Sequence, residues 1–172
     1  MLDDDVDAML ASVHATAGAF TESAMQFMTP PGDSDLTRLR ARGAKVLAYH
    51  GASDAIFSVN DSKDWIKRVG QRSGDGTAGF VRLFEVPGMN HCRGGPATDQ
   101  FDAVSAIVRW VEQGQAPDAI VATARGAGNP GGVNKDLPAG WSADRSRPLC
   151  PYPKVARYAG GDVEKAASYR CE

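Results

Sequence analysis

The chain has 172 residues, of which 42% are hydrophobic and 23% charged, with a formal net charge of −2. This balance is typical of a soluble globular protein and predicts one domain or a domain fragment. Acidic and basic residues are interspersed and no run approaches the ~18 apolar residues that span a bilayer, which argues against nucleic-acid and membrane partners.

Hydrophobic residues recur at helical spacing near the start of the chain. They predict one or two amphipathic helices from Asp4 to about Met28, ending before the Pro-Pro-Gly sequence at residues 30–32. Acidic residues at positions 3–5 suit a helix N-terminus, where they offset the helix dipole. The sequence Asp-Ser-Asp-Leu at residues 33–36 then offers a cap for a short helix that runs through Arg40.

Two short apolar runs, residues 44–49 and 80–86, each read as a buried β-strand followed by a polar turn. Between them, Ser58 or Asn60 is expected to cap a helix through about Gln71, and the glycine-rich residues 72–79 form a turn. Strand, helix, strand and helix in this order favour a parallel sheet, so the predicted fold class is α/β.

Thr98 or Asp99 is expected to cap the next helix, which ends at Gly114. Its predicted apolar face consists of Phe101, Val104, Ile107, Val108 and Val111. Residues 119–123 predict a short strand or extended arm. The Gly/Pro-rich residues 126–148 lack periodicity, and so long a loop is expected either to wrap over protein outside this chain or to be disordered.

Asp54 and His91 stand in the turns after the two predicted strands. The carboxyl ends of parallel strands form the sheet edge at which ligands bind, so these two side chains are candidates for catalysis. In an α/β-hydrolase the triad follows the chain order nucleophile, acid, histidine. The chain supplies the acid and the histidine in that order.

A nucleophilic serine is harder to place. Only Ser53 lies near a G-x-S-x-G pattern, but an apolar loop follows it, where a nucleophile elbow requires a helix. A self-sufficient small hydrolase that uses Ser53, with Asp99 or Asp102 as a late acid, is therefore retained only as an alternative. A non-catalytic binding or assembly module with a hydrolase-like half-fold is another.

Other roles for the polar residues of these turns have weaker support. His50, at the end of its strand, is expected to be a structural or supporting side chain. A zinc site built from His50, Asp54, His91 and Cys92 is disfavoured, because adjacent His91 and Cys92 point apart in most backbone geometries and no compact metal motif is present. Cys92 is disfavoured as a nucleophile because its neighbour His91 is poorly placed to deprotonate it.

Four sequence features together resemble the tannase and feruloyl esterase family over roughly residues 33–172: residues 45–50, H-G-x-x-D at 50–54, P-G-x-x-H-C at 87–92, and R-P-L-C-P-Y-P-x-V-A-R-Y at 147–158. The resemblance implies a serine α/β-hydrolase that acts on aromatic esters and has a large lid between nucleophile and acid. The chain then corresponds to the C-terminal part of that fold, with parallel strands and flanking helices, and is incomplete without the N-terminal part.

The resemblance also assigns roles to individual residues. Asp54 becomes the catalytic acid and His91 the catalytic base, while the serine lies outside this chain. Cys92 is expected to form a disulfide with a cysteine beside that serine. If Cys150 and Cys171 pair with each other, as expected for the tail, Cys92 is left without a partner in this chain, and three reduced thiols remain an alternative.

The resulting organisation has three parts: a helical segment at residues 1–32, the hydrolase portion at 33–125, and a loop with a disulfide-closed tail at 126–172. No cofactor is expected in this chain, because the calcium site implied by the resemblance belongs to the lid. The expected partners are an aromatic ester and the missing N-terminal portion, and the isolated chain is expected to self-associate. Disulfides imply a secreted or periplasmic protein, whose signal is not visible in this chain.

Overall fold

The computed structural model describes residues 5–172 and divides the chain into two units, one ending at Asp35 and one beginning at Leu36. The first unit contains two helices, α1 (Val6–His14) and α2 (Ala24–Met28). Both lie in the region where the sequence predicts helices.

The start of α1 is fixed by an acidic cap. The Asp5 carboxylate accepts the backbone N–H groups of Asp7 at 3.0 Å and Ala8 at 3.2 Å. Such a cap satisfies donors that have no partner within the helix. The other acidic residues predicted for this terminus, Asp3 and Asp4, lie outside the described residues.

The apolar residues of α1 are not buried. No residue of the helix is buried, and Val6 and Leu10 keep 69% and 56% of their surface exposed. The N-terminus of α2 is fixed by a capping box, in which the side chains of Ser23 and Gln26 each accept the other residue's backbone N–H. Within the described residues, both helices are therefore stabilised by their capping hydrogen bonds and not by burial of their apolar side chains.

The second unit alternates helices and strands. In chain order it contains α3 (Thr37–Ala41), β1 (Val46–Gly51), α4 (Val59–Ser73), β2 (Val81–Val86), β3 (Gln100–Phe101), α5 (Ala103–Gln113), β4 (Ile120–Thr123), β5 (Ser146–Leu149), β6 (Ala156–Tyr158) and β7 (Tyr169–Cys171). Strands β1 and β2 pair in parallel, with Val46 opposite Val81 and Gly51 opposite Val86. Both predicted strands and their parallel arrangement are confirmed.

Strand β2 is the centre of this unit because it is buried on both faces. Val81 and Leu83 pack in one cluster with residues of α4, while Phe84 and Val86 pack in another with residues of α5, β4 and β5. Successive side chains of a strand point to opposite faces, so one continuous apolar run serves both clusters. Burial of each such side chain contributes about 1.5–3 kcal/mol.

The caps of α3 and α4 differ from each other. Ser58 caps α4 as predicted, its side chain accepting the N–H of Asn60 at 3.2 Å. In α3 the N-cap position is held by Leu36, within the residues 33–36 predicted to cap this helix, and the Leu36 side chain forms no capping hydrogen bond.

The predicted start of α5 is wrong. Its N-cap is Asp102, whose carboxylate accepts the N–H of Ser105 at 2.8 Å, and not Thr98 or Asp99. The reason is tertiary: β3, directly before this cap, pairs antiparallel with β4 and keeps the chain extended.

The predicted apolar face of α5 is wrong for its three valines. Val104, Val108 and Val111 are exposed, and the helix buries Ala106 and Trp110 instead. Phe101, from the same predicted face, is partly buried and packs against the core. One indole buries more apolar area than a valine, so turning Trp110 inward decides the orientation of the helix.

Residues 126–148 are more ordered than the sequence suggests. The predicted strand β4 is confirmed, but it pairs antiparallel with β5, which begins inside the predicted irregular loop. Asn134, in the middle of that loop, is buried. The loop therefore packs on this chain itself, a possibility that the sequence pattern did not indicate.

The C-terminal tail is held by a disulfide between Cys150 and Cys171, which ties the end of β5 to β7. The predicted pairing of these two cysteines is confirmed. Strands β6 and β7 pair antiparallel inside the closed segment.

Two further observations bear on the predicted partners. Within residues 5–172, no helix has the length and apolar character needed to cross a membrane. Among the same residues β1 pairs with β2 alone, so its other edge is open. An open edge is a template for pairing, and self-association of the isolated chain stays a prediction.

Replacing Cys150 and Cys171 together by serine should lower the free energy of unfolding. The disulfide spans 21 residues, and in the chain-entropy model closing such a loop contributes about 3 kcal/mol. Urea unfolding of this chain measures the difference. Cys92→Ser is the matched control because Cys92 is a free cysteine and forms no crosslink. If the double variant and this control have equal free energies of unfolding, the disulfide does not stabilise the fold by closing the loop.

Candidate active site

The two polar turns predicted to carry the chemistry lie side by side. Because Gly51 is opposite Val86 in the parallel pair, both turns begin at the same level of the sheet. Two hydrogen bonds then join them, from the N–H of Ala52 to the carbonyl of Val86 and from the N–H of Ser53 to the carbonyl of Met89, each at 3.0 Å. The strand register thus brings the Asp54 turn against the His91 turn.

Gly51 permits this close approach. A Cβ atom built on it would lie 2.4 Å from the Met89 carbonyl oxygen and 2.5 Å from that of Asn90. Both obstacles are backbone atoms, which cannot swing aside as a flexible side chain can. A residue without a side chain is therefore required between the two turns.

Asp54 and His91 form a hydrogen-bonded pair. Nδ1 of His91 lies 2.8 Å from Oδ2 of Asp54. A carboxylate can only accept, so Nδ1 carries the hydrogen, and Nε2 of the neutral ring keeps a free lone pair that can take a proton. The side chain of Asp54 is 5% exposed and that of His91 47%. The imidazole is therefore accessible, while the carboxylate hydrogen-bonded to it is buried.

Asp54 is held in its ionised form. Burial acts to raise its pKa, but the hydrogen bond from His91 and the N–H donors of Ile56 and Phe57, at 2.8 and 3.1 Å, outweigh burial and lower the pKa from 3.8 to about 2. Near neutral pH this carboxylate is charged, which is the form that stabilises an imidazolium.

His50 supports the acid from the other side. Its Nδ1 lies 2.7 Å from the Ser62 hydroxyl, and its Nε2 donates to the Phe57 carbonyl at 3.1 Å. The same Nε2 is 3.5 Å from Oδ2 of Asp54. Through these contacts His50 ties the Asp54 turn to α4, in line with the supporting role predicted for it.

Cys92 follows the base directly and is an exposed free cysteine. It is also the one non-glycine residue with a positive φ, 66°, among residues 5–172. Few L-residues adopt this left-handed conformation. Its pairing with a cysteine outside this chain stays a prediction.

The alternative with Ser53 finds no support in the local geometry. Ser53 lies in an exposed turn, and α4 begins only at Val59, so the strand does not pass directly into a helix as a nucleophile elbow does. Of the two late acids considered, Asp99 is paired with Arg125 and Asp102 caps α5. No group of three or more potential metal ligands occurs among residues 5–172.

A cavity of about 570 Å³ opens beside the pair. Apolar side chains including Tyr49, Phe57 and Trp65 line it together with Asp54 and His91. Apolar walls around a few convergent polar groups are typical of small-molecule sites. The N-terminal unit has a cavity of about 600 Å³, but Glu22 is the single titratable residue in its lining, so the chemistry favours the cavity at the sheet edge.

The sequence reasoning missed one part of the site. The backbone N–H groups of Gly94 and Gly95, just after His91, donate to the carboxylates of Asp99 and Asp136 at 2.7 and 2.9 Å. The paired glycines were the available signal, because two glycines in a short loop mark an unusual backbone path. Asp136 lies 41 residues from its partner, in a segment predicted to be irregular.

The chain is similar to known proteins over nearly its whole length. The family model for tannase and feruloyl esterase matches residues 9–172. The chain is 47% identical to mono(2-hydroxyethyl) terephthalate hydrolase of Piscinibacter sakaiensis, covering 98% of this chain and 26% of that protein. It is 35% identical to a probable feruloyl esterase of Arthroderma benhamiae, covering 88% of this chain and 27% of that protein.

A solved structure shows the same relation in three dimensions. Feruloyl esterase B from Aspergillus oryzae superposes with a TM-score of 0.62 at 30% identity, covering 81% of this chain and 29% of that structure. The chain thus spans about a quarter of the length of the curated relatives it matches. Its fold is part of an α/β-hydrolase fold, and the predicted fold class is confirmed.

Gly51→Ala should displace the His91 turn, because the new Cβ would overlap two backbone oxygens. We expect a lower melting temperature and loss of the Asp54 to His91 hydrogen bond, seen as a change in the imidazole NMR signals. Gly140→Ala is the matched control, since a Cβ there meets nothing within 4 Å. Unchanged imidazole signals in Gly51→Ala would show that the turns tolerate a wider separation.

The carboxyl group of Asp54 should titrate in the folded chain with a midpoint near 2, against 3.8 for its ordinary value. Because the folded-state pKa is the lower one, ionised Asp54 stabilises the fold fully above about pH 3.8, and this contribution is lost as the pH falls through about 2. NMR titration of the carboxyl carbon measures the midpoint. His91→Ala should move it upward, and an unmoved midpoint would remove His91 as a cause.

Proposed function

Because the chain belongs to the tannase and feruloyl esterase family, we propose that it is the C-terminal part of a serine esterase and supplies two of its three catalytic side chains. One observation carries the proposal. A buried, ionised aspartate orients an accessible histidine at the end of two parallel strands, with Nδ1 and Oδ2 2.8 Å apart.

The proposed reaction uses a serine from the remainder of the protein. As the serine oxygen attacks the ester carbonyl carbon, Nε2 of His91 accepts the hydroxyl proton, and a tetrahedral oxyanion forms. His91 then donates that proton to the leaving alkoxide as the ester C–O bond breaks. Water repeats the cycle on the acyl-enzyme, and the acid is released.

Asp54 has two roles in this scheme. Its hydrogen bond keeps Nδ1 protonated, so that Nε2 faces the substrate as the base. Its charge then stabilises the imidazolium that forms in each half-reaction. Phe57 lies beside the imidazole, with ring centroids 5.5 Å apart.

Further parts of the proposal concern the complete protein. We propose aromatic carboxylic esters as substrates, which the apolar wall of Tyr49, Phe57 and Trp65 supports. We also propose a disulfide from Cys92 to a cysteine beside the serine, a calcium site in the lid portion, and a secreted or periplasmic location. The disulfide between Cys150 and Cys171 supports an oxidising compartment.

Asp54→Asn in the complete protein should lower kcat for an aromatic ester on the order of 10⁴-fold, because an asparagine can hold the imidazole in the wrong tautomer. Steady-state kinetics measure the loss. Asp64→Asn is the matched control, since Asp64 pairs with Lys67 on the surface of α4 and its side chain is 61% exposed.

Two results would contradict the proposal. Full turnover in Asp54→Asn would remove Asp54 as the catalytic acid. A complete, folded protein that hydrolyses no aromatic ester would favour the alternative of a non-catalytic binding or assembly module.

A further inference from the structure

The turn that carries His91 is a short closed loop. The N–H of Asn90 donates to the carbonyl of Gly94 at 3.1 Å, which encloses His91 between them. Gly94 and Gly95 both have positive φ, 84° and 75°, and a Cβ on Gly95 would lie 2.2 Å from the carbonyl oxygen of Gly88. The position of His91 therefore depends on what holds these two glycines.

Three side chains hold them. Asp99 accepts the N–H of Gly94 at 2.7 Å and Asp136 accepts the N–H of Gly95 at 2.9 Å. The amide of Asn134 donates to the carbonyl of Gly95 at 2.8 Å. The segment after His91 is thus held by one nearby side chain, that of Asp99, and by two from a segment about 40 residues further along the chain.

Asp99 is itself fixed by a buried ion pair. Arg125 binds it in a bidentate manner, Nε to Oδ1 at 3.0 Å and Nη2 to Oδ2 at 2.6 Å, and the side chains are 10% and 0% exposed for Arg125 and Asp99. The remaining Nη1 of Arg125 donates to the carbonyl of Gly132 at 2.8 Å. Planar two-point pairing of this kind fixes orientation as well as distance.

The ion pair between Asp99 and Arg125 matters more for the position of the loop than for the stability of the fold. A buried ion pair can often be replaced by apolar residues of similar size without loss of stability, because desolvation offsets the attraction between the charges. A catalytic side chain, in contrast, must be held within about 0.5 Å of its productive position. His91 is half-exposed on a loop, so its placement has to come from the groups that hold the loop.

We propose that Asp99 and Arg125 are positioning residues for His91: their buried ion pair fixes Gly94, and through it the imidazole that faces Asp54 and the substrate. Neither residue touches the reacting atoms. The inference rests on the proposed function, since it takes His91 to be the catalytic base.

The test compares variants of the complete protein. Asp99→Asn should lower kcat about 10- to 100-fold with KM unchanged, because a displacement of about 1 Å can cost 10²-fold in rate. Arg125→Lys should show a smaller loss, since lysine offers one point of contact instead of two. The apolar double variant Asp99→Leu/Arg125→Met should also lose turnover, because leucine cannot accept the N–H of Gly94, and its melting temperature is measured alongside to establish that it folds.

The matched control is Glu164→Gln. Glu164 also pairs with an arginine, Arg145, and accepts a backbone N–H, that of Ser142 at 3.1 Å, but it lies in the C-terminal tail. We expect wild-type kcat for this variant. Wild-type kcat in folded Asp99 and Arg125 variants, or a loss shared equally by Glu164→Gln, would overturn the proposal.

A second readout does not depend on esterase activity. In the complete protein, the His91 Nδ1 proton should exchange with water at least 10-fold faster in the Asp99 and Arg125 variants, measured by proton NMR. Unchanged exchange would overturn the positioning role even if the protein is an esterase. Faster exchange in a protein that hydrolyses no ester would keep that role and remove the proposed function.

Discussion

The in-register parallel pairing of β1 with β2 is the constraint on which the site depends. It places Gly51 opposite Val86, so that the turns after the two strands start level and meet backbone to backbone. A shift of one residue would move each side chain of a strand to the other face of the sheet. The two apolar clusters on either side of β2 prevent such a shift, and the same packing that stabilises the unit therefore sets the separation between acid and base.

Hydrogen bonds and charge then fix the positions of Asp54 and His91 within the two turns that the strand register brings together. Asp54 has its carboxylate occupied on both oxygens, by His91 on one and by two backbone N–H groups on the other. His91 in turn lies in a loop whose far end is held by Asp99. Two aspartates thus act at the two ends of one short turn, one through the imidazole and the other through the backbone.

The sequence predicted the features that depend on local pattern. Both parallel strands, the Ser58 cap and the pairing of Asp54 with His91 follow from apolar runs that end in polar turns. The errors have a tertiary origin. Burial of Trp110 leaves the valines of α5 exposed. Pairing of β3 with β4 keeps the chain extended up to the cap at Asp102. Strand β5 forms in a segment without periodicity because it pairs with β4, which lies more than 20 residues away. The contact of Asp136 with the His91 loop was missed for the same reason, because its partner Gly95 lies 41 residues away in the chain.

His91 and Asp54 lie only 37 residues apart in the chain, and the side chains that hold their two turns belong to the same chain. Under the proposed function, assembly of the active centre then reduces to one alignment, that of the serine with Nε2. Insertions in the part of the protein that supplies the serine can then change in length without moving Asp54 relative to His91. Under the same proposal, the portion that covers the substrate is free to differ between relatives while this pair keeps its geometry.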